Sequence, residues 1–253
     1  MRTFISAPCR NQRFLARLLE LMMQRCRQSE IMDDPSLNAE QHVHALHGLE
    51  RINRWSASVH ALWSPIQALA GEEPKRTFRV LDIATGAGDV PIQLWHRAHR
   101  AGVRLIINGC DRSPVAIAYA RQRATQKRAD VTFFELDALN DEIPPGYDAV
   151  TCSLFLHHLH DEEAVRLLRS MAQAAGWLVV ISDLVRSRTG LSLAHLGTRL
   201  LSTSAVVHVD GPRSVRAAYT VDEARVLATR AGMDHAKVWP RWPCRYLLVW
   251  KRP

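Results

Sequence analysis

The stretch VLDIATGAGDVP, residues 80–91, decides the architecture. Val80, Leu81 and Ile83 surround Asp82 in a short apolar run, and Gly86 and Gly88 follow two apart before the chain becomes helix-forming. A buried strand that ends in a glycine turn and runs into a helix is the first half of a βαβ unit. In an open α/β sheet the ligand sits beyond the carboxyl ends of the strands, and the first strand-to-helix turn is its usual cradle. Glycines at 86 and 88 let backbone approach such a ligand where a Cβ would collide.

Outward from this turn, apolar strands alternate with amphipathic helices. Strands are expected near 78–83, 104–110, 131–135, 147–152 and 176–182, with helices near 89–100, 114–127 and 161–174. That alternation predicts a parallel sheet covered on both faces. After a helix at about 221–231, DHAKVWP and CRYLLVW are joined by RWP and read as an antiparallel hairpin at the sheet's edge.

Upstream, residues 1–29 carry six arginines against one acid, Glu20. Phe14, Leu15, Leu18, Leu19, Met22 and Cys26 recur there at helical spacing, so a basic amphipathic helix is expected, as a packed lid or as a peripheral membrane contact. Its Arg-rich, acid-poor character also resembles a transit peptide. MDDPSLNAE (32–40) is a polar break with Asn38 as a helix cap, and residues 40–63 continue helically until Pro65 stops them. The expected organisation is a helical appendage over 1–72 and an α/β domain over 73–253.

The 253 residues carry a net charge of +8, a pI near 9.7 and 47% hydrophobic residues, enough for a sizeable core. The charge favours anionic partners without choosing among nucleic acid, membrane surface and acidic small molecule. No apolar run is long enough to span a membrane. Five cysteines, widely spaced and never in a CxxC pair, argue against a disulfide framework and fit a reducing, cytoplasmic compartment. His42, His44 and His47 lack a carboxylate or cysteine at suitable spacing, so no metal site is expected.

The ligand of the turn can be narrowed. A dinucleotide site would carry GxGxxG, but Pro91 occupies the third position, and Asp82 places negative charge where a diphosphate would be repelled. An acid there suits an amine-bearing ligand. VLDIATGAG resembles the hydrophobic-Asp-x-Gly-x-Gly-x-Gly signature of class I S-adenosylmethionine-dependent methyltransferases, with Ala84 where most members have glycine. Methyltransferases of the ubiquinone and menaquinone pathways show a similar alanine and a Gly-Asp pair like Gly88-Asp89.

The downstream motifs keep to the same pattern. LIINGCDRSP ends its strand in Asp111, 23 residues after Gly88, then offers Ser113 as cap and Pro114 as first helical residue. Tyr147-Asp148 opens the fourth strand, which runs toward Leu156-His157-His158-Leu159 and an acid-capped helix at Asp161. Gly176-Trp177 stands where members usually have Gly-Gly. The resemblance covers about residues 78–253 and implies a Rossmann-like, seven-stranded mixed sheet with an antiparallel terminal strand, here preceded by an N-terminal helical lid.

It also implies roles. S-adenosyl-L-methionine is the expected cofactor, bound by Asp82, Ala84, Gly86 and Gly88 at the first turn, by Asp111 and Arg112 at the ribose, by Asp137 and Ala138 at the adenine, and by Ser153. His157 and His158 lie beside the expected methyl position as a base or substrate contacts. Residues 184–219, with Arg186, Arg188, Arg199, Arg213 and Arg216, fall where this family often places a substrate cover. The expected acceptor is a small phenolic, quinone or polyketide-like molecule with an anionic or carrier-linked part, methylated on oxygen or carbon. The alternatives are an RNA methyltransferase, for which no RNA-binding module is recognisable, and a catalytically silent S-adenosylmethionine-binding protein. A nicotinamide dehydrogenase is weakened by Pro91.

Overall fold

The computed structural model describes residues 23–34, 36–55 and 58–253. The expected basic helix therefore falls mostly outside the described residues. Where its end is described, over 23–30, the chain is not helical. The Cys26 N–H instead donates to the Arg216 carbonyl at 3.0 Å, so this segment runs as a strap across another element.

Helices α1 (Ala39–Trp55) and α2 (Ser58–Glu72) precede β1 (Phe78–Ile83). There follow α3 (Asp89–Arg100), β2 (Leu105–Asp111), α4 (Pro114–Lys127), β3 (Val131–Glu135), β4 (Tyr147–Ser153), a 3-10 turn at Leu156–His158, α5 (Asp161–Ala174) and β5 (Ala175–Leu184). The chain closes with α6 (Arg188–Leu201), α7 (Ala205–Ala217), α8 (Val221–Arg230), β6 (Lys237–Arg241) and β7 (Arg245–Lys251). The strands form one seven-stranded sheet in the order β3-β2-β1-β4-β5-β7-β6. The first five run parallel, and β7 lies antiparallel between β5 and β6.

Side chains alternate between the faces of this sheet as the pleat requires. Leu81, Ile83, Val179 and Ile181 point into a core shared with α5 and α8, while Phe78, Val80, Leu178 and Val180 point into one shared with α2 and α3. Both faces are covered, which is why β1 and β4 are buried along almost their whole length.

Local signals hold at several helix starts. Ser113 Oγ accepts the Ala116 N–H at 3.2 Å ahead of Pro114, and Asn38 Oδ1 accepts the Glu40 N–H at 2.8 Å. Two expectations need correction. Pro65 does not stop a helix but lies inside α2, because Leu62, Trp63, Ile66 and Leu69 bury on both sides of it and outweigh the lost N–H bond. Asp161 is the first helical residue of α5 rather than its cap; Glu163 closes this end by accepting the His160 N–H at 2.8 Å. The segment 184–219 holds two helices, α6 and α7, the second with Pro212 inside it. Helix α1 lies against their junction, with Arg51 Nε donating to the Leu201 carbonyl at 2.7 Å and His44 Nε2 lying 3.1 Å from Thr203 Oγ1.

Candidate active site

The carboxyl ends of β1 and β4 meet in two unusual backbone turns. Ala84 and Leu154, neither of them glycine, hold positive φ of 52° and 54°, beside Gly86 at 53° and Gly88 at 71°. Such strained residues persist only where their surroundings over-determine them, and they cluster at functional sites. Here the determinant is Asp82. Its carboxylate is 1% exposed and accepts from Thr85 Oγ1 at 2.8 Å and Thr151 Oγ1 at 2.6 Å, tying the turn to β4. Burial pushes this carboxyl up to about 7, against the pull of the two hydroxyls. Asp82 thus sits beneath the turn, off the cavity wall.

The two glycines differ in kind. A Cβ on Gly86 would meet no atom within 4 Å, and Gly86 lines the cavity. A Cβ on Gly88 would come within 2.7 Å of Phe133 Cζ and 2.9 Å of Ala120 Cβ, so this glycine lets the turn pack down on α4 and β3 rather than admit a ligand. Asp111, at the end of β2, accepts the Gly86 N–H at 2.8 Å and the Ser113 N–H at 2.9 Å, one on each carboxylate oxygen. Arg112 beside it is exposed. Asp137 and Ala138 lie just past β3, where the Asp137 carboxylate accepts the Leu139 N–H at 3.0 Å and the Asn140 amide at 2.8 Å. Asp111, Asp137 and Ala138 follow adjacent strands along the carboxyl edge and lie outside the wall of the main cavity.

That cavity encloses about 260 Å³ and joins the turn to the histidines. Ala84, Gly86, Ser153, His157 and His158 all line it. His157 is 3% exposed; its Nδ1 lies 2.6 Å from Asp183 Oδ1, and its own N–H donates to Asp183 Oδ2 at 3.1 Å. Its Nε2 faces Glu30 Oε1 at 3.6 Å, and His158 Nε2 faces Glu30 Oε2 at 3.8 Å. Burial alone would favour a neutral His157 ring, but the Asp183 charge and hydrogen bond, with Glu30 behind them, raise it to about 10. Glu30 lies below the usual carboxylate range: His157 and His158 outweigh its own burial.

Glu30 and Asp183 are the site residues that sequence reasoning missed. Asp183 left a faint signal, a Ser-Asp pair ending the apolar run of β5. Glu30 left none, since it arrives on the strap. There Arg25 donates to the Leu159 and Ala217 carbonyls, both at 2.7 Å, and Arg27 donates to the His158 carbonyl at 3.0 Å. The Ile31 and Met32 N–H groups donate to the Asp210 carboxylate at 2.9 and 3.0 Å. Arg186 and Arg213, read as cover arginines, also hold the strap through the Met23 carbonyl at 2.6 Å and the Ser29 carbonyl at 3.1 Å. Leu193, Ala194, Leu201 and Val215 from α6 and α7, with Met32, Leu46 and Ile52, form the apolar remainder of the wall. Arg245, 4% exposed, reaches the same wall, its guanidinium lowered to about 10 by burial.

Residues 80–175 match the family described as a methyltransferase domain. Over 105 residues the chain is 38% identical to the demethylmenaquinone methyltransferase of Thermus thermophilus, covering 41% of this chain and 46% of that protein. Over 138 residues it is 30% identical to a ubiquinone biosynthesis O-methyltransferase of Alkalilimnicola ehrlichii, covering 53% and 52%. The chain thus spans about half the length of these curated relatives. A magnesium protoporphyrin IX methyltransferase from Synechocystis, solved with bound S-adenosylhomocysteine, superposes with a TM-score of 0.54 at 18% identity, covering 80% of this chain and 87% of its own. The matched segment runs from the first strand and its glycine turn through the histidine pair to β5, and the sheet order is that of the fold it implies. Residues 80–175 thus resemble a methyltransferase domain, and the chain has the Rossmann-like fold of the solved S-adenosylmethionine-dependent methyltransferases on which it superposes.

Proposed function

We propose that the protein transfers a methyl group from S-adenosylmethionine to oxygen or carbon of a small acceptor of phenolic, quinone or polyketide type. The observation that carries this reading is the continuity of one cavity from the Ala84–Gly86 turn to the Glu30, His157 and His158 cluster beneath an apolar cover. The turn fits the donor, because at Gly86 a side chain would occupy space that the fold leaves open. Bound there, S-adenosylmethionine supplies a methyl group on a sulfonium, already activated for in-line displacement.

The chain's own residues then position and exclude water. Asp82, Thr85 and Thr151 hold the turn rigid, and the Asp111 carboxylate, with a lone pair to spare on each oxygen, is set to accept the ribose hydroxyls. Asp137 and Ala138 lie where the adenine would follow. Asp183 holds the His157 ring through Nδ1, which presents Nε2 to the acceptor end of the cavity beside Glu30. The apolar wall suits a flat or prenylated acceptor, and the quinone-pathway relatives support that class. Helix α1 and the strap form the lid side of the domain, while α2, expected as part of the appendage, packs into the core against the sheet. Among the described residues no helix is long and apolar enough to cross a membrane, and the buried thiols of Cys110 and Cys152 suit a reducing, cytoplasmic setting.

Calorimetric titration with S-adenosylmethionine, S-adenosylhomocysteine and NAD, followed by an acceptor screen of phenols and quinones, tests the reading. Binding of the first two without NAD, together with a methylated product, is the expected result. Cofactor binding with no turnover on any acceptor would favour a silent binding protein, and binding of NAD alone would overturn the assignment of the turn.

A further inference from the structure

The cluster on the acceptor side of the cavity has the composition of a metal site. Glu30, His157 and His158 each offer one ligand atom, and these atoms lie within 4.8 Å of one another. The separations of 3.6 and 3.8 Å between the Glu30 oxygens and the two Nε2 atoms are too long for good hydrogen bonds. They are close to the spacing of two ligands on one tetrahedral ion, roughly 3.4 Å when each lies about 2.1 Å from the metal.

We propose that Glu30, His157 and His158 bind a divalent transition-metal ion of the zinc type, leaving a position open to the cavity for an acceptor oxygen.

Three features of the surroundings support this assignment. Asp183 takes the Nδ1 side of His157 at 2.6 Å and also accepts its backbone N–H, which fixes the ring and aims Nε2 at Glu30. This carboxylate–histidine arrangement is the one that orients metal-bound imidazoles and raises their basicity. Ser214 Oγ donates to Glu30 Oε1, and the strap that delivers Glu30 is pinned on either side of it by Arg27 and by the bonds of Ile31 and Met32 to Asp210. Finally, three protein ligands with one position left over is the pattern of a reactive rather than a structural site. Two imidazoles and one carboxylate favour zinc, cobalt, iron or manganese over magnesium or calcium. An ion here would hold the oxygen of a phenol or enol against the turn that carries the donor. In that respect the inference rests on the proposed acceptor class; the binding of the ion does not.

The test uses the full chain without a histidine tag, stripped with chelator and titrated with Co²⁺ and Zn²⁺, while S-adenosylhomocysteine binding is measured on the same samples. The parent is expected to take up one equivalent of Co²⁺ with visible d–d absorption and to exchange it for Zn²⁺. Glu30→Gln and His158→Ala should each weaken uptake by roughly 10–100-fold or more, since loss of even an outer-shell partner costs that much. His44→Ala should leave it unchanged, and retained S-adenosylhomocysteine binding by each variant would show that it is folded. No stoichiometric uptake by the parent, or uptake indifferent to both substitutions, would overturn the site. Loss of S-adenosylhomocysteine binding by the parent would instead overturn the methyl-donor reading and leave the metal result standing.

Discussion

Gly86 and Gly88 look equivalent on the page, yet their surroundings set different tests. Gly88→Ala forces a methyl group against Phe133 and Ala120 and is expected to destabilise the fold by roughly 1–3 kcal/mol, read as a lowered Tm. Gly86→Ala adds a Cβ that meets no neighbour, so beyond the strain of its positive φ the loss should appear as weaker S-adenosylhomocysteine binding in calorimetry. Asp82 gives a pH test. Its folded-state carboxyl is raised from 3.8 to about 7, so the fold favours the protonated form, and that contribution is lost as pH rises through about 7. Asp82→Asn keeps a neutral hydrogen-bonding group there. Its Tm relative to the parent is expected to climb as pH rises from 3.8 through about 7, and an unchanging difference would mean that Asp82 is not protonated in the fold.

The strap is held mainly by polar bonds. Arg25 stacks on Tyr219 with its guanidinium carbon 3.7 Å from the ring centroid and donates to two carbonyls at once, so Arg25→Ala removes several anchors with one change. The expected outcome is faster amide exchange over residues 26–32 and a higher KM for the acceptor, with global Tm little altered, because few apolar contacts depend on it. Equal exchange in parent and variant would show that the Arg27, Arg186 and Asp210 bonds suffice. Pro65 in α2 is the opposite case: there apolar burial overrules a local breaker. A sequence window sees the missing N–H but not the sheet that Leu62 and Ile66 pack against.

For the molecule as a whole, cofactor binding and stability are linked by mass action. At roughly 100 times its Kd, S-adenosylhomocysteine should add about 2.7 kcal/mol to stability, and NAD at the same concentration should leave Tm unmoved. The alternating strands, the glycine turn, the strand-end acids Asp111 and Asp137 and the closing hairpin were all legible in the linear chain, because each is a local pattern of period, cap or turn within one βα unit. The histidine pair was legible as a motif, though not the state of its rings. Only the tertiary structure brought Glu30 and Asp183 to His157 from opposite sides, separated by 127 and 26 positions, and so changed a candidate base into the centre of a charged cluster. It also moved Asp82 and Gly88 off the cavity wall and into the support beneath it. Periodicity and caps are written in neighbouring residues, whereas burial, charge pairing and the contents of a cavity depend on which distant segments the sheet brings together.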